Sequence, residues 1–553
     1  MKPRRCTIPL LRNISFLAYA GIFFLSCTSG NGGGTGSLFG TGFVDAEAFR
    51  NSITAGLGPV DTVDSLFRRH LLQDMELNVS YAYRLTEGAP LWFDAGGPKD
   101  GVLAFTEQLN DLWNEGLDPG SYHVEYIGQI LRQLKAGQNG FPVDSIVQWD
   151  RTLTRAWLGA ARDLLLGTRE IRQADSLWFA ANDTLFDGAP FLVAALRKSD
   201  SFPSFDRFRS EVKEYLQMKK AVSAWAALKQ DTAYMALKDR VVPGCPDSIV
   251  LAVIRKELEG AMPRNNDTLD EAARWIALYQ YYHQLKISGK NDSATLACLS
   301  ARPDDYIRSL QLNMDRLRAL PRTPGPEHIW VNIPLMEVNY YRDNRMKFRS
   351  RVVVGKRSRQ TPTLWAPMAN VVFNPPWGVP PTILRKDIGP GVSRSGPGYL
   401  ARKGLRAFDA QGRDVTAMVN GANYRRFAYR QPPGARNSLG EVKFNLPNKW
   451  DIYLHDTPHR ENFGNRMRAL SSGCVRVQYP RLLAGAILED RKFTQEKIDS
   501  IVQTRRTRME RLDRDLPVYI VYLTVAADST GMQLRYLDDV YGRDRQMKKL
   551  YGH

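Results

Sequence analysis

Apolar residues recur every three or four positions from about Phe43 to Lys238, in runs such as "RAWLGAARDLLLGTREI" and "SEVKEYLQMKKAVSAWAALKQ", with Gly, Pro and Asp at the breaks. That is the period of amphipathic helices, and it predicts an all-α scaffold over residues 43–238. The next segment, 239–303, opens with a turn at "PGCPDS" and holds two or three short helices; in one of them, "LDEAARWIALYQYYHQL" carries an aromatic stripe. A stripe at helical spacing reads first as core. A linker helix is expected over 304–323. Beyond it the period becomes strand-like. "HIWVNIPLMEVNYYRDNRMKFRSRVVVGK" predicts two strands around a turn at "RDNR", "NVVFNPPWGV" and "WDIYLHD" read as further short strands, and "PVYIVYLTVAADSTGMQLRYLDDVYG" as a last pair. Residues 324–545 are therefore expected to form a mainly β domain, and the chain an α+β multidomain protein. Gly- and Arg-rich residues 383–431 interrupt this domain, and an insertion of that length is predicted to be a lid beside the active site.

The N-terminus changes the picture of where such a protein works. A basic "MKPRRC" precedes the apolar "ISFLAYAGIFFLS", which reads as a signal peptide over residues 1–27, too short to span a bilayer comfortably. It ends at Cys27, and the glycine-rich stretch 28–42 reads as a flexible tether. Together they resemble a bacterial lipoprotein signal, which implies lipidation of Cys27 and a membrane tether; ordinary signal cleavage with a soluble product is the alternative. Either way the protein is expected to be exported, to the periplasm or cell envelope. The formal net charge of +18 suggests anionic surroundings, without choosing among nucleic acid, lipid and acidic wall polymer.

Export makes the cysteines informative. Of the 5 in the chain, Cys6 leaves with the signal and Cys27 is assigned to lipidation. Cys245 and Cys298 could pair in an oxidising compartment. Cys474 would then be a free thiol, and an unpaired cysteine in an exported protein is a candidate reactive group. It lies in "HDTPHRENFGNRMRALSSGC", which also holds His455 and His459. His70 and His123 are isolated and read as surface or packed residues.

Three chemistries compete for His455, His459 and Cys474. A zinc site would need the two histidines on one helical face, and Pro458 between them, after a strand-like "IYLHD", opposes that helix. A purely structural role for Cys474 as a small buried residue fits poorly with the tight turn implied by "SSGC". The third reading is a nucleophile pair, in which His455 takes the proton of Cys474. The backbone carbonyl of Ser471 or Ser472 would fix the imidazole, Asp456 alternating to the opposite face of the strand. The amides of Gly473 and Cys474 would form an oxyanion hole.

"IYLHDTP" followed by "RALSSGCVRV" resembles the signature of the L,D-transpeptidases with a YkuD-type catalytic domain, His before Cys. "VVVGKRSRQTPTL", "VVFNPPWGVPPTI", "QPPGARNSLGEVKFNLPN" and "YLDDVYG" extend the likeness to the large, YcbB-like form, and 239–303 resembles a small peptidoglycan-binding module. The resemblance implies acyl transfer between peptidoglycan stem peptides, through a thioester on Cys474 with loss of a terminal D-Ala, to give 3-3 crosslinks. It implies His455 as base and then acid, with Arg476 binding a substrate carboxylate and Tyr453 and Trp377 lining the cleft. It implies neither a metal nor an organic cofactor, and no nucleic-acid partner. Hydrolysis of the thioester, attachment or release of a wall-linked protein, and a catalytically dead wall-binding lipoprotein are the other readings that remain.

Overall fold

The structure is a computed structural model that describes residues 43–57, 74–135, 140–174, 186–197, 203–263, 270–528 and 533–551. The expected signal peptide, Cys27 and the tether lie outside the described residues.

Several of the Asp breaks in the helical pattern are N-caps. Asp45, Asp74, Asp231, Asp270 and Asp292 each accept a hydrogen bond from an amide of the first turn, a contribution of about 1 kcal/mol per cap. The scaffold helices pack around Val143–Leu166, whose Trp157 is fully buried and stacks on Phe191 and Phe205. Asp150 of the same helix is buried and accepts from the amides of Leu91 and Trp92 and from the Tyr83 hydroxyl. Burial pushes its pKa up to about 6, although these donors hold it down.

Residues 239–303 contain helices Asp247–Glu257, Glu271–Tyr282 and Ser293–Leu299 around a core of their own. The aromatic stripe supplies Tyr279 and Tyr282 to that core. Cys245 and Cys298 are both free thiols, so the possible disulfide is absent; Cys298 instead accepts a hydrogen bond from the Tyr279 hydroxyl at 3.5 Å. The segment expected as a linker is a helix, Pro303–Arg318, that does more than connect. Its Tyr306, Leu310, Met314 and Leu317 share a core with Tyr215, Met218 and Val222 of the scaffold and with Trp330, Tyr519 and Val521 of the sheet. It is the joint between the α and β halves.

The sheet consists of β1 (His328–Asn332), β2 (Glu337–Arg342), β3 (Arg345–Gly355), β4 (Leu364–Pro367), β5 (Asn370–Phe373), β6 (Val442–Asn445), β7 (Leu454–His455), β8 (Ala469–Ser471), β9 (Val475–Val477), β10 (Arg508–Arg511) and β11 (Pro517–Val521). Its order is β10-β5-β6-β7-β9-β3-β2-β1-β11-β4, with β8 beside β3. Most pairs are antiparallel, and β7 runs parallel to β9. Alternation sends Val442, Phe444, Leu454, Val475 and Val477, all fully buried, into one core with the helices Pro480–Ile487 and Gln495–Gln503.

The insertion is a folded unit rather than an irregular loop. Strands Trp377–Gly378, Arg406–Phe408 and Ala428–Gln431 form a separate sheet. With helix Gly389–Lys403 they enclose Trp377, Ile388, Val392, Leu400, Ala407, Val419, Tyr429 and Leu439. Its core therefore begins before residue 383 and continues past 431.

Candidate active site

The register of three adjacent strands assembles the site. Lys443 of β6 is paired with His455 of β7, and His455 with Arg476 of β9. Residues paired across a sheet project from the same face, so these three side chains form a row on the face opposite Leu454, Phe444 and Val475. Two residues earlier on the same face come Tyr453 and Cys474, which flank the paired Leu454 and Val475.

Cys474 is half-buried at the start of β9, after a turn that only glycine suits. Gly473 has φ 125°, and a Cβ there would lie 3.2 Å from Ile452 Cδ1. The Ser471 hydroxyl accepts from the Gly473 amide at 3.1 Å and donates to the Cys474 carbonyl at 2.6 Å. Thr361 Oγ1 donates to the Gly473 carbonyl at 2.7 Å. The Cys474 sulfur lies 3.7 Å from the Asp451 carbonyl oxygen. Burial pushes its thiol pKa up, while Tyr453, Lys443 and Arg476 pull it down.

His455 is 5% exposed, and its Nδ1 is buried without a hydrogen-bond partner. Burial above all, then the Arg476 guanidinium and the Lys443 ammonium, hold its pKa down to about 3 against a contribution from the Asp456 backbone. The imidazole is neutral at physiological pH, the state a proton acceptor needs. Its ring meets that of Tyr453 edge-on at 5.6 Å.

Several expected roles change with these positions. The Gly473 amide is engaged by Ser471 and closes the turn, which leaves the Cys474 amide as the remaining donor of the expected oxyanion pair. The unpartnered Nδ1 makes no bond to the carbonyl of Ser471 or Ser472; the Ser471 carbonyl accepts from the Lys356 amide, and the Ser472 hydroxyl accepts from Arg359 at 2.9 Å. Asp456 faces away, accepting from the Glu441 amide and pairing with Arg460. Trp377 is a core residue of the lid, and Tyr453 packs against that core. His459 is exposed and pairs with Glu461, apart from His455. Among the described residues no group of three or more His, Cys, Asp or Glu side chains is placed to hold a metal ion.

Two features of the site were not legible in the sequence. Lys443 lies inside a strand, and nothing local says that its cross-strand neighbour is His455. Arg359 pairs with Asp387 of the lid, through Nη2 and Oδ1 at 2.8 Å, while its other terminal nitrogen donates to Ser472. The lid is thus tied to the turn that carries Cys474. Asp387→Asn is expected to loosen this tie, read as faster hydrogen exchange in residues 381–403; unchanged exchange would mean that the lid's own core holds it in place.

Fold and site together define a mainly β domain with a cysteine and a histidine on one sheet face. Residues 326–502 match the family model of the L,D-transpeptidase catalytic domain, YkuD, and residues 78–222 match that of the Scaffold domain. The chain therefore carries a YkuD-type L,D-transpeptidase catalytic domain behind a scaffold domain, in the YcbB-like arrangement. It is 32% identical over 292 residues to a Haemophilus influenzae protein named "Putative L,D-transpeptidase", an overlap of 50% of this chain and 59% of that protein. Among solved structures it matches one titled "Structure of the Ldtfm-avibactam carbamoyl enzyme" at 10% identity, over 40% of this chain and 63% of that one. The TM-score there is 0.19, too low to bear on the fold.

Proposed function

We propose that the protein is an exported peptidoglycan L,D-transpeptidase that forms 3-3 crosslinks. Cys474 is the nucleophile, and His455 is its proton acceptor. In this scheme the Cys474 sulfur attacks the carbonyl at the L-centre of the third stem residue, His455 takes the thiol proton, and the terminal D-Ala leaves as its protonated amine. An amine from a second stem peptide then attacks the thioester, passes its proton to His455, and the thiol is restored. Arg476 binds a substrate carboxylate.

The observation that carries this reading is the shared face. The only half-buried thiol of the catalytic domain's described residues stands two positions before Arg476, which is itself paired with a neutral histidine. The lid, packed against Tyr453, supports a cleft from which water is excluded, which favours aminolysis. The N-terminal sequence supports export, with Cys27 as the proposed lipid attachment point.

Incubation of the purified protein with disaccharide-tetrapeptides, followed by mass spectrometry, tests the proposal. Dimers lighter by one D-Ala are expected. Tripeptides alone would replace crosslinking by hydrolysis, and unchanged substrate would overturn the enzymatic reading.

A further inference from the structure

Lys443 and Arg476 stand on either side of His455, and among the described residues no acidic side chain pairs with either of them. Among the described residues neither cation lies within salt-bridge distance of a carboxylate, and Arg476 Nε is buried without a hydrogen-bond acceptor. Asp451 and Glu461 are the acids that act on them, one on each, from beyond contact. The Lys443 ammonium sits over the Tyr453 ring at 4.1 Å from its centroid. Both cations act on the Cys474 sulfur. Elsewhere the buried cations Lys238, Arg318 and Arg316 pair with Glu257, Asp315 and Asp544, and buried Arg468, which has no carboxylate partner, is met instead by the backbone carbonyls of Val352, Asn465 and Met336.

Half-burying two like charges beside each other is unfavourable unless an anion completes the site. We infer that Lys443 and Arg476 form a two-cation subsite for a carboxylate of the acyl-donor peptide, with Lys443 as a binding residue beyond the sequence signature. Charge-assisted bonds from both cations would fix the donor chain beside the sulfur. The same anion would offset the two positive charges facing His455, so the imidazole becomes a better proton acceptor when substrate is seated. Lys443 over the Tyr453 face is held in place by that ring before the ligand arrives.

This inference rests on the proposed acyl transfer for its natural ligand, but the subsite itself can be probed without turnover. Alkylation of Cys474 by iodoacetate and by iodoacetamide forms the same carbon–sulfur bond with loss of iodide, and only iodoacetate brings a carboxylate. Cys6, Cys27, Cys245 and Cys298 are removed by substitution with alanine so that one thiol reports. Lys443→Met is expected to lower the iodoacetate-to-iodoacetamide rate ratio roughly tenfold, and Lys443→Arg to preserve most of it. A change in thiol acidity moves both rates together and leaves the ratio alone. An unchanged ratio in Lys443→Met overturns the subsite, whether or not the protein crosslinks peptides. A lowered ratio in a protein that leaves tetrapeptides untouched retains the anion site and overturns the function.

With active enzyme, donor tetrapeptides amidated either at the terminal carboxylate or at the third-residue side chain identify the carboxylate. The amidation that removes the KM difference between wild type and Lys443→Met marks the group bound. Persistence of that difference with both groups amidated overturns the assignment.

Discussion

Cys474→Ala is expected to abolish thioester formation, with crosslinking reduced by a factor of about 10⁴ or more. The reason is chemical before it is structural. Among the described residues the free thiols are Cys245, Cys298 and Cys474, and the first two belong to the helical module, so no second thiol among them can take its place on the sheet face. The substitution should leave the fold intact, because Cys474 is only partly buried and the turn before it is held by Ser471 and Thr361 side chains and by Gly473. His455→Ala retains the thiol and is expected to slow acylation by about 10²–10⁴. Intact-protein mass after mixing with a tetrapeptide separates the two: wild type gains an acyl group, His455→Ala gains it slowly, and Cys474→Ala never does. An adduct on Cys474→Ala at the wild-type rate would assign the nucleophile elsewhere.

The second large effect is acid lability. His455 and His283 are both buried, and burial first, with help from Arg476 and Lys443 in one case and Lys238 in the other, holds each pKa down to about 3. An unfolded chain takes up these protons from about pH 6.5 downward, whereas the folded chain takes them up only near 3. In that window the unfolded state binds more protons, so stability falls as pH falls, by about 2 kcal/mol per histidine between pH 6.5 and 5. Buried Asp150 works the other way: its folded pKa of about 6 exceeds the unfolded value near 3.8, so protonation in this range favours the folded state. Single variants separate these contributions. Urea denaturation of His283→Gln and His455→Gln between pH 7 and 5 should show a shallower loss than wild type, and pH profiles parallel to wild type would refute the buried neutral histidines.

Much of the architecture was legible because it is periodic. The helical and strand-like patterns on either side of residue 324 reflect local burial, which a single segment can express. The Asp breaks were legible as punctuation, and their side chains prove to be the caps. The linker helix was legible only as a helix: its role as the joint depends on Tyr306, Leu310 and Met314 meeting apolar residues of the scaffold, such as Tyr215 and Met218, and of the sheet, such as Tyr519 and Val521, all remote in the sequence. The lid was marked as an insertion by its Gly- and Arg-rich sequence, but its core draws on Trp377 and Leu439, outside the marked segment.

By itself the sequence pointed to a histidine at a strand end and a cysteine after "SSG" as a candidate pair, because residue type, tight turn and order along the chain are local properties. The α+β division follows from the change of period for the same reason. Only the tertiary structure decided what surrounds that pair. The pairing of β6, β7 and β9 sets Lys443, His455 and Arg476 in one row. It turns the Gly473 amide toward Ser471 and leaves the imidazole buried between two cations. Strand register is a relation between distant segments, and a shift of one residue would send Lys443 to the opposite face. The electrostatics of the site therefore belong to the folded sheet and to no single stretch of the chain.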